Sequence, residues 1–151
     1  MTDRTLTLPP EAGYGLALSR LGTLARGHGD APRALVLHSY ALLLLRTPAA
    51  APVLPLRLGV LLEIARDHAQ LGRRADKVAT LTRVVCTLDA GFPDEFPELS
   101  DAYFELAACT HDVDRARALR ERGAALCRRL LGEDHPRTRA AQAVLCAPQH
   151  S

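Results

Sequence analysis

The chain has 151 residues, 48% hydrophobic and 24% charged, with 19 lysines and arginines against 17 aspartates and glutamates for a formal charge of +2. A domain of this length buries about 70% of the surface its unfolded chain exposes, and the balanced charge excludes the one-sign field that favours nucleic acid or an anionic membrane surface. Alanine and leucine dominate the apolar residues, tryptophan is absent and aromatics make up only 4%, which favours helix over strand and sets the expected fold class as all-α.

Residues 1–9 show no charged region followed by an apolar run and a small-residue cleavage site. They read as a flexible N-terminus without a secretion signal, and a cytoplasmic location is expected. Helices are expected over 10–27, 32–46, 53–71, 74–90, 97–110, 113–131 and 136–146, from periodic apolar residues bounded by Gly, Pro and Asp. In the first two, Leu21-Gly22, Gly29-Asp30, Ala34 and Ala41 form a pattern in which each residue has a local job. Gly22 lets two helices approach closely, Gly29 permits the turn, Asp30 caps, and Pro32 is tolerated in a first helical turn. The apolar run Ala34–Leu45 contains His38 and Ser39 and is closed by Arg46, Thr47 and Pro48; it is too short for a bilayer and reads as a core helix.

The next copy of the pattern, Leu62–Thr87, keeps Ala65 and Leu71-Gly72 but has Lys77 at a position where Ala34 stands in the first. The third keeps Ala116 and Gly123 and puts Phe104 and His111 where the first has Gly22 and Gly29. Phe92-Pro-Asp-Glu-Phe-Pro-Glu98 aligns with Leu131-Gly-Glu-Asp-His-Pro-Arg137, an offset of 131 minus 92, or 39 residues. Pro97 and Pro136 fit the opening turns of helices. In the last helix, Ala140, Ala143, Val144 and Ala147 recur at the spacing of a buried stripe.

The polar residues offer no catalytic constellation. Cys86, Cys109, Cys127 and Cys146 form no CxxC pair, which suits reduced, buried thiols better than a disulfide frame or zinc site. Gly13-Tyr14-Gly15 and Gly27-His28-Gly29 lack the strand context of a phosphate loop, Cys109 and His111 have no matched second pair for a metal, and His135 beside Asp134 suits capping and linker packing. Arg115, Arg117, Arg120, Arg122, Arg128 and Arg129 divide around a helix whose other face carries Ala116, Leu119, Gly123, Leu126 and Leu130, a solvated face rather than a basic stripe. No enzyme activity, metal or cofactor is expected.

Leu21, Gly22, Gly29, Ala34 and Ala41 together resemble the tetratricopeptide (TPR) family. Leu130-Leu-Gly-Glu-Asp-His-Pro136 is similar to the linker of the longer-repeat subtype found in kinesin light chains and many bacterial arrays; a related segment occurs in the helical C-terminal region of SET and MYND lysine methyltransferases. The resemblance covers about residues 15–146. It implies an α-α superhelix of about three TPR-like hairpins with a C-terminal capping helix, one repeat domain over 10–147 and a tail at 148–151. It also implies a protein-interaction or adaptor module that binds a peptide or partner helix in a concave groove, without catalysis. A peptide-sensing regulatory domain and a non-catalytic accessory subunit of a larger enzyme complex are the alternatives. Mapped on the first helix of each pair, the groove candidates are Ser19, Thr23 and Arg26, then Leu62, Arg66 and Ala69, then Glu98, Asp101 and Glu105. A basic or amphipathic segment is expected at the acidic third set, with Arg26 and Arg66 receiving its acidic part and Leu62 or Tyr103 as apolar anchors. Ser19 and Thr23 stand where relatives that grip a C-terminal carboxylate carry Lys and Asn, so that mode is not expected. No nucleic-acid or membrane partner is expected, and the apolar ends of a short stack permit a homodimer.

Overall fold

A computed structural model describes residues 9–46, 53–91 and 96–146. The expectations for residues 1–8, Phe92 to Glu95, Ala147 and the tail lie outside the described residues. Among the described residues all regular structure is helical: α1 Pro10–Gly27, α2 Ala31–Leu44, α3 Val53–Gln70, α4 Arg74–Asp89, a 3-10 turn Pro97–Leu99, α5 Ser100–Cys109, α6 Val113–Leu131 and α7 Pro136–Cys146. No helix is long and apolar enough to cross a membrane among these residues.

The helix ends follow from local chemistry. Asp30 and Asp112 accept from the Arg33 and Arg115 amides at 3.1 and 3.0 Å, each satisfying a donor that the helix itself leaves unpaired. Gly29 (φ +83) closes α1, with the Asp30 amide reaching back to the Ala25 carbonyl at 2.9 Å, and Gly132 (φ +84) closes α6, its own amide donating to the Arg128 carbonyl at 3.0 Å; a side chain in that left-handed conformation is strained. Pro136 occupies the first position of α7, but the residue that caps it is His135, whose Nδ1 accepts from the Arg137 amide at 3.1 Å. Pro97 opens a 3-10 turn in place of the first turn of an α-helix.

The chain divides into two compact units, Met1–Thr80 and Leu81–Ser151, the division falling inside α4. In the first, α1 and α2 pack antiparallel and α2 packs on α3. Its core joins Ala12, Ala41, Leu45, Val53, Val60 and Ile64, flanked by Leu18, Leu35, Leu42 and Leu56. Each fully buried leucine such as Leu45 contributes about 1.5–3 kcal/mol over an exposed one. The two helices meet where side chains are missing: a Cβ on Gly15 would lie 3.1 Å from Leu45 Cγ, and one on Gly22 only 2.7 Å from His38 Nε2.

In the second unit α5 and α6 form the antiparallel pair and α7 packs on α6. The large and small partners are exchanged relative to the first: Phe104 of α5 fills the space left by Gly123 of α6, where a Cβ would meet Phe104 Cζ at 2.9 Å. The expected buried face of α6 is observed, with Ala116, Leu119, Gly123 and Leu126 buried and Leu130 partly so. The expected stripe of α7 is not. Ala140, Ala143 and Val144 are exposed, and Thr138 and Ala141 are buried instead, with Leu145 packed beside Ala124 and Cys127. The 138, 141, 145 register brings the largest apolar side chain of the helix against α6, which a count of alanines does not weigh. The thiols also depart from expectation: Cys127 is buried, Cys109 is intermediate, and Cys86 and Cys146 are exposed.

Candidate functional site

In the first unit, Thr23 and Arg26 stand one turn apart on α1 and bond to Glu63 and Asp67 of α3, while His38 of α2 lies against Thr23 and the Ser19 carbonyl. Asp67 is fully buried, and a buried carboxylate persists only when paired. Its Oδ1 accepts from Arg26 Nη1 at 3.0 Å, and its Oδ2 lies 2.5 Å from Nδ1 of His38, itself fully buried. Arg26 also donates through Nη1 to the Glu63 carbonyl at 3.1 Å and through Nη2 to Glu63 Oε2. Arg66 Nη1 reaches Glu63 Oε1 at 2.8 Å. Burial raises the pKa of Glu63, but the hydrogen bond and charge of Arg26, joined by Arg66, outweigh it and hold the carboxyl below its ordinary value.

Thr23, His38 and Asp67 have the order of a hydroxyl, an imidazole and an orienting acid. Geometry does not let them work as one. Thr23 Oγ1 is 3.5 Å from His38 Nε2, whereas the Ser19 carbonyl, an acceptor, lies 3.0 Å from that nitrogen. A general base needs a lone pair facing the hydroxyl, and the Thr23 proton has the Ser19 carbonyl at 3.2 Å and Glu63 Oε2 at 3.3 Å as acceptors. Gly22 packs directly against the imidazole. The network ties α1, α2 and α3 together.

The second unit carries a different surface. Asp101 of α5 accepts from Arg137 Nη2 of α7 at 2.5 Å, and the pair borders a groove of about 270 Å³ lined also by Phe104, Ala140, Ala141 and Val144. Glu98 is exposed on the turn before α5, and Glu105 is half-buried one turn after Asp101. Behind this face, the Tyr103 hydroxyl donates to Asp89 Oδ1 at 2.8 Å while Arg122 Nη1 donates to Oδ2 at 2.6 Å, fixing α5 and α6 to the end of α4.

The structure thus brings Thr23, Arg26 and Arg66 into one polar cluster, with Arg26 paired inside the chain. Glu98, Asp101 and Glu105 lie along one stretch of the second unit. Leu62 and Tyr103, expected as open apolar anchors, are core residues at 3% and 5% exposure, because each belongs to the packed side of its helix. Sequence reasoning missed Glu63, Asp67 and Arg137. The signal for the first two was His38, a polar side chain in the most apolar helix, which required a buried partner.

No family model and no curated protein matches the chain. Solved structures do: a Podosopora anserina protein assigned as a kinesin light chain with nearly identical TPR-like repeats superposes with a TM-score of 0.70 at 22% identity, over 91% of this chain and 66% of that one. A single-substitution variant of the same protein gives a TM-score of 0.70 and 22% identity over 92% and 66%. The chain therefore spans 66% of the length of these structures. The helical pairs, the small residues at their crossings and this superposition give the chain the TPR-like helical-repeat fold.

Proposed function

We propose that the chain is a protein-interaction module without catalysis of its own, and that the surface between α5 and α7 takes a basic, apolar-studded segment of a partner protein. The observation that carries this reading is the groove where Phe104 and Val144 supply apolar walls beside the Asp101 carboxylate, with Glu98 exposed next to it. A lysine or arginine of the partner would compete with Arg137 for Asp101, and Glu98 and Glu105 would steer its approach. An apolar side chain between the charges would rest on Phe104 and Val144 and supply the affinity.

The test uses labelled peptides alternating leucine with lysine or leucine with glutamate. The lysine peptide is expected to bind and to shift the NMR signals of Phe104, Arg137 and Val144, and an Asp101→Lys, Glu105→Lys variant of unchanged helicity is expected to lose it. Equal binding of both peptides, or unchanged binding by the variant, would overturn the site.

A further inference from the structure

The outer side of α1 carries an apolar row that the core does not use. Tyr14, Leu21 and Leu24 are 68%, 52% and 60% exposed, and Ala17 is exposed between them. The spacings 14, 17, 21, 24 alternate three and four residues, the seam of a coiled coil. This row is separate from the polar face of the same helix: Tyr14 is nine residues from Thr23, which at 100° per residue sets the two about 180° apart. The helix has 18 residues, and the row from Tyr14 to Leu24 takes up about 15 Å of its axis, room for about three turns of a partner helix.

Charge beside the seam selects the partner. On one flank stand Glu11, Leu18 and Ala25, of which Leu18 packs against the core. On the other stand Gly13, Arg20 and Gly27, and Arg20 is exposed with no ion pair or hydrogen bond among the described residues. A second copy supplies no complement to it. Antiparallel self-pairing that sets Tyr14 against Leu24 leaves the two Arg20 residues about 3 Å apart along the axis on the same flank, and parallel pairing sets Arg20 against Ala25 of the other copy.

We infer that the outer face of α1 docks an amphipathic helix of a partner protein that carries apolar residues at heptad spacing and acidic residues along the flank facing Arg20. Tyr14, Leu21 and Leu24 provide the apolar contact, and Arg20 sets the sign of the partner.

The probe is a fluorescent three-heptad peptide with leucine at the seam and glutamate on both flanks, compared with its lysine counterpart and titrated with the full chain. The glutamate peptide is expected to bind at least about tenfold more tightly than the lysine one. A Leu21→Asp, Leu24→Asp variant is expected to weaken it by about tenfold or more with the circular dichroism unchanged, since both side chains are exposed. Arg20→Glu is expected to reverse the preference. Absence of binding, equal binding of both peptides, or full binding by the leucine variant would overturn the inference. So would a wild-type dimer in sedimentation that the leucine variant dissolves, because the seam would then belong to a second copy.

Discussion

The His38 imidazole occupies the space that a side chain on Gly22 would need: an added Cβ would lie 2.7 Å from Nε2 and 2.8 Å from Cδ2. The ring cannot retreat, since Nδ1 is held by Asp67 at 2.5 Å. Gly22→Ala should therefore destabilise the fold by about 1–3 kcal/mol through overpacking. Gly13→Ala, on the same helix with nothing within 4 Å, should stabilise it by up to about 1 kcal/mol through helix propensity. Urea unfolding of the two variants checks the opposite signs.

Asp67→Ala should cost about 3–5 kcal/mol, because it leaves Arg26 and His38 facing an empty, buried position. The exposed Arg117–Glu121 pair, with side chains 72% and 54% accessible, sets the contrast. Arg117→Ala should change stability by less than about 1 kcal/mol. Similar losses in the two variants would argue against a network that holds α1, α2 and α3.

The Glu63 carboxyl has a pKa below its ordinary 4.5 in the folded chain. A depressed folded value means that the unfolded chain binds the proton more tightly. The stabilisation by Glu63 is then fully present above the unfolded value and is lost as pH falls through the folded one. Stability measured from pH 6 down to pH 3 should converge for wild type and Glu63→Gln. A gap that stays constant across that range would contradict the assignment.

Phe104 and Gly123 should behave as one unit. Gly123→Ala alone should destabilise by about 1–3 kcal/mol, and Phe104→Leu alone should leave a small void. The double variant should be less damaged than the sum of the two, because the smaller side chain accommodates the added methyl. Additive losses in a double-mutant cycle would show that the two sites relax independently.

Much of the helical order was legible because the signals are local. Gly29 with Asp30, and Pro136, each mark a helix end through their own backbone or side-chain chemistry, and Gly22, Ala34 and Ala41 mark close crossings through size. What escaped was tertiary choice. The buried side of α7 is settled by which residues meet Ala124 and Cys127 of α6, and Thr138 presents a buried side that its hydroxyl conceals from a hydrophobic count. The charged surface was legible as residues but not as pairs: Arg26 bonds across 37 positions to Glu63, and Arg137 across 36 to Asp101, separations at which periodicity carries no information. Leu62 and Tyr103 lie on the core side of the helices that bear the candidate polar residues, a distinction made by neighbouring helices.

The central claim is that the chain is an interaction module working through the acidic surface of α5. Its most direct test is affinity capture from native cell extract with wild type beside the Asp101→Lys, Glu105→Lys variant of verified helicity, followed by mass spectrometry. The account predicts a partner with a basic, apolar segment that wild type retains and the variant loses. Retention of the same proteins by both forms would contradict it.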